Sequence, residues 1–429
     1  MHIAIVGNGI TGVTASRVVR RRHPDWRITV ISDEAPTHYA RTAWMYVYMG
    51  HLTREHTQPY AEHFWTDNRI ERVHDRVTHL DARGKTLRLQ KGGPLAWDRL
   101  LLATGSIPAF YGWPGQDLAG IQGLYHLQDL DRMEREAGSA KRAVVVGGGL
   151  IGVEMAEMLR TRGTHVSFLI REGRYMAHAM PKRESRLLEH EIARHHVDLH
   201  LRTEPVTFQG KDRVQSVRTS TDVTLMADWV GIATGVRPNI DWLKDAGIDT
   251  ARGILVDRQM RTSAPDVFAA GDCAEAREPL AGRAAIEPLW YTGRIQGATA
   301  GMGLAGSPTP YAPGVFFNSA KFFDIEWQVV GRIAPEPSPE IVDAYTEDET
   351  PHGPRLIRLQ ADTASGALLG VHALGIRLRQ SVISDWIARG VSLDDALRDL
   401  PLASFDPEFS RAILVPDLSR QSQRIANLG

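Results

Sequence analysis

The chain has 429 residues, 43% of them hydrophobic, and its 50 Lys and Arg residues nearly balance its 51 Asp and Glu residues. A chain of this length usually forms several domains, and its formal charge of −1 gives no long-range attraction to nucleic acid or anionic lipid. The single cysteine, Cys273, excludes an intramolecular disulfide, a two-thiol redox pair and a zinc site built from cysteines.

The first residues predict no targeting segment. The apolar start runs directly into a glycine loop and has neither the basic region nor the cleavage site of a signal peptide. No apolar run reaches the roughly 18 residues that a transmembrane helix needs. With so little cysteine, we expect a cytoplasmic protein without integral membrane association.

The first strong pattern along the chain is strand, glycine turn, helix and strand. A β-rich run at residues 3–6 leads into Gly7, Gly9 and Gly12, and after a helical pattern a second β-rich run covers residues 28–31. Glycines at this spacing allow a tight turn and a close approach of the backbone to a ligand. The helix N-terminus that follows attracts the pyrophosphate of a dinucleotide.

The same pattern recurs 140 residues later. Residues 144–146 lead into Gly147, Gly149 and Gly152, and residues 166–169 form the later strand. Because the strand, loop, helix and strand context is met twice, we predict two dinucleotide sites and a duplicated fold rather than a short repeat.

The residue that binds the ribose should lie about 20 residues after the last glycine of each loop. Asp33 and the adjacent Glu34 occupy this place in the first unit, whereas the second unit has Arg171, Glu172 and Arg174 there. An acid binds the 2′-hydroxyl of NAD, and arginine suits a 2′-phosphate. The charges favour NADPH, with Glu172 left open as an acid for NAD.

Similar strand endings follow the two units, at residues 100–108 ("LLLATGSIP") and 230–238 ("VGIATGVRP"), and a further apolar strand ends at Gly271 and Asp272. A Gly- and Pro-rich linker near residue 306 opens a third region with strand-like runs and a helical end. We predict an α+β domain there, with an exposed loop at residues 335–354. Its aromatic residues favour a core over an interface or a flavin-pocket wall; they are Phe316, Phe317, Phe322, Phe323 and Trp327.

These motifs, in this order, resemble the FAD-dependent pyridine nucleotide oxidoreductases, which include glutathione reductase, NADH oxidase, ferredoxin and rubredoxin reductases and the flavin module of nitrite reductase. The resemblance covers about residues 1–305. It implies an α/β fold with two Rossmann-like domains and a C-terminal α+β domain. The implied FAD domain is discontinuous (residues 1–110 and 235–305), the NAD(P)H domain covers residues 111–234, and residues 306–429 serve dimerisation or partner docking.

The resemblance also implies site residues. The first glycine loop would bind the ADP half of FAD and the second NAD(P)H, and Asp272 would bind the ribityl chain. The helix that follows would point its N-terminus at the flavin pyrimidine and stabilise charge on the reduced ring, which would place Leu289 and Trp290 near the isoalloxazine. The remaining cofactor-binding candidates are Arg41, Val77, Thr104, Gly105 and Gly235. We expect Cys273 to be buried and inert beside the FAD.

The aromatic segment "HYARTAWMYVYMG" (38–50) aligns with the family segment that passes the redox face of the flavin. Disulfide reductases have two cysteines there and NADH oxidases have one, but this chain has none. Ferredoxin reductase-like members have a lysine that pairs with a glutamate of the second glycine motif. Here Tyr46 takes the lysine position and Glu154 is present, so these two are the catalytic candidates. Trp44, Tyr46 and Tyr48 would be partly core, with Trp44 and Tyr48 one helical turn apart, or at least one of the three would line the flavin pocket.

The resulting hypothesis is an FAD-containing oxidoreductase that takes hydride from NAD(P)H and passes electrons to an external acceptor without a redox-active disulfide. The acceptor would be an electron-carrier protein, a quinone, oxygen or a small molecule. Two alternatives remain open at this point. One is a flavin enzyme with a specific organic substrate and a vestigial nicotinamide site. The other is a redox-responsive interaction protein similar to apoptosis-inducing factor.

No histidine spacing suggests a metal site.

Overall fold

A computed structural model describes residues 1–351, 353–408 and 415–416. The chain divides into two compact units. The first comprises residues 1–111, 122–139 and 232–313. The second comprises residues 112–121 and 140–231 with the described part of 314–429. Residues 352, 409–414 and 417–429 of the predicted C-terminal domain lie outside the described residues.

The strands are numbered in chain order. They are β1 (His2–Val6), β2 (Arg27–Ser32), β3 (Ile70–His74), β4 (Val77–Asp81), β5 (Thr86–Leu89), β6 (Gly93–Ala96), β7 (Arg99–Leu102), β8 (Ser106–Pro108), β9 (Ile121–Gln122), β10 (Arg142–Val146), β11 (His165–Ile170), β12 (Val197–Leu201), β13 (Pro205–Gly210), β14 (Val214–Thr219), β15 (Thr224–Met226), β16 (Trp229–Ile232), β17 (Val236–Pro238), β18 (Ile254–Val256), β19 (Val267–Ala269), β20 (Ala274–Ala276), β21 (Phe317–Phe322), β22 (Ile325–Gly331), β23 (Ile341–Thr350), β24 (Gly353–Asp362) and β25 (Leu368–Leu374).

The helices follow the same numbering. They are α1 (Ile10–Arg22), α2 (Trp44–Tyr48), α3 (Glu62–Asp67), α4 (Leu127–Ala137), α5 (Leu150–Thr161), α6 (Lys182–Arg194), α7 (Trp290–Leu304), α8 (Gln380–Arg389) and α9 (Leu393–Asp399). Short 3₁₀ turns occur at Arg41–Ala43, Glu55–Thr57, Asp241–Leu243 and Leu400–Ala403. Across the described ranges, none of these helices combines the length and the apolar character that a bilayer crossing requires.

The first unit is built on a parallel sheet of order β19-β7-β1-β2-β3. Ile5 of β1 lies opposite Val30 on one side and Leu101 on the other, and all three are almost fully buried. Near-continuous apolar strands are typical of parallel sheets that are covered on both faces. Since β1 is central, the chain changes direction across the sheet beside it, and ligands bind at such a switch point.

Helix α7 of the first unit packs against α1 with unusually close backbones. A Cβ atom at Gly297 would lie only 2.4 Å from the Thr11 carbonyl oxygen. This contact requires glycine on α7, and it holds α7 against the glycine loop that precedes α1.

The second unit contains a parallel region of order β12-β11-β10, extended by β16 and β9, and an antiparallel sheet of order β21-β22-β25-β24-β23. The antiparallel sheet buries one apolar core with α8 and α9. The predicted fold class, two Rossmann-like units and a C-terminal α+β region, is therefore confirmed. The finer division into three domains stays a prediction.

The prediction of an exposed loop at residues 335–354 is wrong for the central part of this segment. Residues Ile341–Thr350 form β23, which pairs along its whole length with β24. The prolines that suggested a loop precede the strand or lie beyond it. The strand is at the edge of its sheet, where charged side chains are tolerated and protect against further pairing.

Three of the five aromatic residues predicted to form core in the third region are buried. Phe322, Phe323 and Trp327 are each at most 4% exposed, whereas Phe316 and Phe317 are half-buried. Trp327 also donates a hydrogen bond to Nε2 of His372, so this core is not purely apolar.

A buried ion-pair network ties α6 to the antiparallel sheet. The guanidinium of Arg358 donates from Nε to Glu184 Oε1 at 2.6 Å and from its second nitrogen to Oε2 at 3.1 Å, and it also pairs with Asp343. Glu184 and Arg358 are at most 4% exposed. Burial alone would raise the pKa of Glu184, but hydrogen bonds from His372 and Arg358 hold it below its usual value.

We predict that Arg358→Ala destabilises the protein by about 3–5 kcal/mol, because it leaves a buried carboxylate without its cation. Urea unfolding followed by circular dichroism measures the loss. Since the folded-state pKa of Glu184 is lowered, the stabilisation exists at neutral pH and disappears as the pH falls through that lowered value. The matched control, Arg389→Ala, removes an exposed pair with Asp385 and should cost less than about 1 kcal/mol. Equal losses in the two variants would contradict the prediction.

Candidate functional site

Three predicted motifs meet at one edge of the first unit's sheet. Gly7, Thr104 and Gly271 come shortly after β1, β7 and β19, which are adjacent parallel strands. A Cβ atom at Gly7 would lie 2.0 Å from the Ala103 carbonyl oxygen, and one at Gly271 would lie 2.5 Å from Thr11 Oγ1. The loops are therefore in direct contact, at the strand ends where dinucleotides bind in this type of sheet.

The first glycine loop has the form of a phosphate cradle. Gly7 has φ +111°, which favours glycine, and a Cβ atom at Gly12 would lie 2.0 Å from the Gly7 carbonyl oxygen. In contrast, a Cβ atom at Gly9 would point into open space. Helix α1 begins there with neither a side-chain cap nor an acidic residue in its first turn. These features fit the pyrophosphate of FAD.

Asp272 lies at the same edge, and its half-buried side chain faces two hydroxyl groups. Its Oδ2 accepts hydrogen bonds from Tyr125 Oη at 3.1 Å and Ser106 Oγ at 3.4 Å. Burial raises the pKa of this carboxyl, while the hydrogen bonds act in the opposite direction. A strand-end carboxyl held in this way can bind a polyol such as the ribityl chain, so Asp272 fits its predicted role.

Glu34 and Arg41 form a two-point ion pair in the first unit. Arg41 donates to the two carboxylate oxygens of Glu34 at 2.7 and 2.9 Å, and Tyr39 also donates to this carboxylate. Burial alone would raise the pKa of Glu34, but the charge of Arg41 and its hydrogen bonds outweigh burial and lower the pKa, so the group stays charged. The other ribose candidate, Asp33, is exposed and pairs with Arg76 at 2.8 Å.

Arg41 is enclosed by aromatic rings. Its guanidinium carbon lies 4.4 Å from the ring centre of Tyr125, 5.2 Å from that of Trp44 and 5.4 Å from that of Tyr39. The aromatic segment therefore serves in part as a cage for a cation. Trp44 and Tyr48 are buried, as predicted, and Tyr46 is half-buried.

The sequence offered no sign of Tyr125, and Ser106 lies within the motif at residues 100–108 but was not among the predicted site residues. Tyr125 connects Arg41 with Asp272, and its hydroxyl also accepts a hydrogen bond from the Ser106 backbone at 2.9 Å. Tyr125 and Asp272 are 147 residues apart in the chain, and Tyr125 belongs to no recognisable motif. Burial and the neighbouring Asp272 raise the pKa of Tyr125, so it remains a hydrogen-bond donor.

The second glycine loop repeats the first within the second unit. A Cβ atom at Gly152 would lie 2.1 Å from the Gly147 carbonyl oxygen, whereas one at Gly149 would meet nothing within 4 Å. Helix α5 likewise begins without a side-chain cap or an acidic residue in its first turn. This loop therefore also fits a dinucleotide pyrophosphate.

The turn after β11 carries more positive charge than the sequence suggested. Arg171 is 71% exposed and pairs with Glu172 at 3.0 Å. A Cβ atom at Gly173 would lie 3.0 Å from Nε of Arg202, so the guanidinium of Arg202 lies beside the same turn. Arg174 is instead held by Glu336 at 2.6 Å.

The other predicted residues have the following places. Val77 begins β4 and is buried, and Gly105 and Gly235 have positive φ angles after β7 and β16. Leu289 is the N-cap residue of α7 and, like Trp290, is half-buried. Tyr46 belongs to the first unit and Glu154 to the second, and their pairing stays a prediction.

Cys273 is fully buried, as predicted. Its sulfur lies 3.4 Å from the carbonyl oxygens of Leu102 and Ala270, and burial raises the pKa of the thiol. A thiol in this state is a poor nucleophile.

Comparison with known proteins gives a consistent result. Residues 1–300 match the family described as pyridine nucleotide-disulphide oxidoreductase. The NAD(P)H coenzyme A polysulfide/persulfide reductase of Pyrococcus horikoshii is 29% identical over 87% of this chain and 87% of its own length. The ferredoxin–NAD(+) reductase component of the biphenyl dioxygenase system from Paraburkholderia xenovorans is 32% identical over 72% of this chain and 76% of its own.

A solved ferredoxin reductase from Rhodopseudomonas palustris has a TM-score of 0.79, with 25% identity and 99% of each chain covered. A NAD-dependent persulfide reductase from A. fulgidus has a TM-score of 0.85 at 23% identity, over 100% of this chain and 84% of the other, and shows the fold alone. With two glycine loops in the expected context and a family match over most of its length, the chain belongs to the pyridine nucleotide-disulphide oxidoreductase family and is an FAD-dependent NAD(P)H oxidoreductase.

Proposed function

We propose that the protein binds FAD in its first unit and NADPH in its second, and delivers electrons to an external acceptor without a redox-active thiol or disulfide. Bound FAD supplies the two-electron chemistry, since it accepts hydride from a reduced nicotinamide. The observation that carries the proposal is the state of Cys273. It is the chain's only cysteine, and it is fully buried between backbone carbonyls.

The residues of the first unit have separate tasks in this proposal. The loop at Gly7, Gly9 and Gly12 holds the pyrophosphate, and Glu34 binds the ribose of the adenosine half. Asp272 binds the ribityl chain, oriented by the hydroxyl of Tyr125. Arg41 pairs with Glu34 and is held in its aromatic cage, which fixes both charges before the cofactor binds.

The proposed preference for NADPH rests on the two cations beside the turn after β11. Arg171 is exposed, and Arg202 lies close to the same turn. Two guanidinium groups at a strand end suit a 2′-phosphate. Glu172 is the opposing feature, because an acid at this place would bind the 2′-hydroxyl of NAD.

The acceptor in this proposal is an electron-carrier protein or a small molecule. The relatives include a ferredoxin reductase component and a persulfide reductase, so the family supports acceptors of both kinds. A homodimer or a docked partner at the C-terminal region belongs to this proposal as well; Phe316 lies just before β21 and Phe317 begins it, and both are half-buried.

The first test is anaerobic reduction. We expect the purified protein to be yellow and to be bleached by NADPH within seconds in a stopped-flow experiment. Ferricyanide should then restore the colour without any added thiol, and alkylating reagents should not slow turnover. A protein that neither cofactor bleaches within minutes would contradict the proposed function.

Substitutions in the two loops separate the two cofactors. We predict that Gly9→Ala loses FAD, while Gly149→Ala keeps FAD and raises the KM for NADPH at least tenfold. A tenfold increase corresponds to a loss of about 1.4 kcal/mol of binding free energy. A methyl group at either place meets open space in the protein but would stand where a phosphate approaches the backbone. Retained flavin absorbance and steady-state kinetics measure the two effects.

The matched control for both is thermal unfolding in the absence of nucleotide. Because neither methyl group contacts the protein, the two variants should unfold within about 1 °C of the wild type when all three are stripped of FAD. Equal loss of flavin from both variants would contradict the assignment of the loops.

Arg171→Ala tests the nucleotide preference. We expect it to raise the KM for NADPH about tenfold and to leave the KM for NADH unchanged, because only the 2′-phosphate needs the cation. Glu172→Gln is the paired variant. An increased KM for NADH in that variant, with NADPH unaffected and no selective effect of Arg171→Ala, would assign the site to NADH instead.

A further inference from the structure

Tyr125 contacts two opposite charges of the first unit. Its hydroxyl donates a hydrogen bond to Oδ2 of Asp272 at 3.1 Å, and the centre of its ring lies 4.4 Å from the guanidinium carbon of Arg41. Burial raises the pKa of Asp272, and the bond from Tyr125 and the charge of Arg41 oppose this rise, so the two charges are near enough to interact. Within the described part of the chain, however, no ion pair joins Arg41 to Asp272. Tyr125 thus lies against both members of a charge pair that has not formed.

Arg41 is held at Glu34 by a short segment that begins at Tyr125. It donates to both carboxylate oxygens of Glu34, and it also donates to the backbone carbonyl of Tyr125. The backbone N–H of Leu127 donates to Glu34 Oε1 at 2.7 Å, and the side-chain amide of Gln128 donates to the Glu34 carbonyl at 2.8 Å. This segment therefore fixes Glu34 and Arg41 together, with the guanidinium turned toward Glu34.

Asp272 is bonded by uncharged groups instead. Its Oδ2 accepts hydrogen bonds from the hydroxyls of Tyr125 and Ser106. The Tyr125 hydroxyl accepts a bond from the Ser106 backbone at 2.9 Å, so its one proton is directed at Asp272. A Cβ atom at Gly105 would lie 2.7 Å from this hydroxyl, and the glycine therefore makes room for it. Two neutral donors on one oxygen leave the carboxylate able to accept from a ligand, whereas an arginine can bind both oxygens at once.

We propose that Tyr125 is a positioning residue, which keeps Arg41 on Glu34 and thereby leaves Asp272 open to the ribityl hydroxyls of FAD. The inference rests on the proposed function, in which Asp272 binds the ribityl chain and Glu34 binds the ribose. Tyr125 acts through Arg41 and Asp272 and needs no contact of its own with the cofactor. Its ring holds the guanidinium by a cation–π contact, and its hydroxyl supplies the carboxylate with a donor that carries no charge.

Loss of Tyr125 would affect both ends of the FAD site. Without the ring, Arg41 loses one wall of its cage, and without the hydroxyl, Asp272 loses a hydrogen-bond donor. A carboxylate that has lost a donor gains from pairing with the nearest cation. Arg41 would then turn from Glu34 to Asp272, which removes the cation from the ribose-binding acid and occupies the ribityl-binding one. The damage therefore depends on Arg41, whereas a simple loss of packing would not.

A double-mutant cycle on FAD affinity tests this dependence. The intact protein, stripped of flavin, is titrated with FAD, and the quenching of flavin fluorescence gives the Kd without any turnover. We expect Tyr125→Ala to raise the Kd about tenfold or more in the wild-type background, because Arg41 then competes for Asp272. In the Arg41→Gln background the same substitution should raise the Kd by no more than about threefold, since the competing cation is absent.

Further variants separate the ring from the hydroxyl. Tyr125→Phe keeps the ring over Arg41, so it should raise the Kd less than Tyr125→Ala and by a similar factor in both backgrounds. Tyr125→Leu removes the ring and the hydroxyl but keeps much of the volume, and it provides the same test if Tyr125→Ala does not fold. The matched control is Tyr345→Ala in the second unit, where the ring centre also lies 4.4 Å from a guanidinium carbon, that of Arg358. This control should change the Kd by less than about twofold.

The outcomes separate the positioning role from the proposed function. An equal loss of affinity from Tyr125→Ala in the two backgrounds, or a Tyr125→Phe variant that binds FAD as weakly as Tyr125→Ala, would overturn the positioning role and leave the proposed function standing. A wild type that binds FAD but is bleached by neither NADPH nor NADH would overturn the proposed function, and the double-mutant cycle would still decide for or against the role of Tyr125. A wild type that binds no FAD would overturn both.

Discussion

The backbone of the first glycine loop lies so close to the neighbouring strand end that a single methyl group would separate them. A side chain at Gly7 would overlap the carbonyl of Ala103, and one at Gly12 would overlap the carbonyl of Gly7. This crowding brings the ends of β1 and β7 together and turns the N-terminus of α1 toward the same edge. The positions of Asp272 and Thr104 follow from it, because β19 and β7 end at that edge as well.

The environment of each carboxyl group determines its chemistry in this protein. Glu184 is fully buried and Glu34 is half-buried, yet each keeps its charge because an arginine binds two of its oxygens. Among the residues that the structure describes, no arginine binds Asp272 or Glu154 in this way, and burial raises the pKa of each. The first pair of groups therefore stabilises and orients structure, whereas the second pair is suited to binding hydroxyl groups and holding protons.

Much of the chemistry was predictable because it depends on short-range patterns. The two glycine loops, the strands on each side of them and the lone cysteine are local features of the sequence, and each loop imposes its own geometry over a few residues. The segment at residues 335–354 shows the limit of that reasoning. Its prolines and charges suggested a loop, but pairing with β24 makes most of it a strand, since long-range hydrogen bonds override weak local preference.

The number of nucleotide loops, the fold class and the lone thiol follow from residue identity and near-neighbour spacing, so they could be predicted from the chain alone. The distant side chains that surround the carboxyl groups and the charged turn became known only from the folded structure. Tyr125 contacts Asp272, Arg202 lies beside the turn after β11, and Lys321 pairs with Glu157. Each contact joins residues far apart in the chain through the packing of separate strands and helices, and the spacing of residues in the sequence contains no record of that packing.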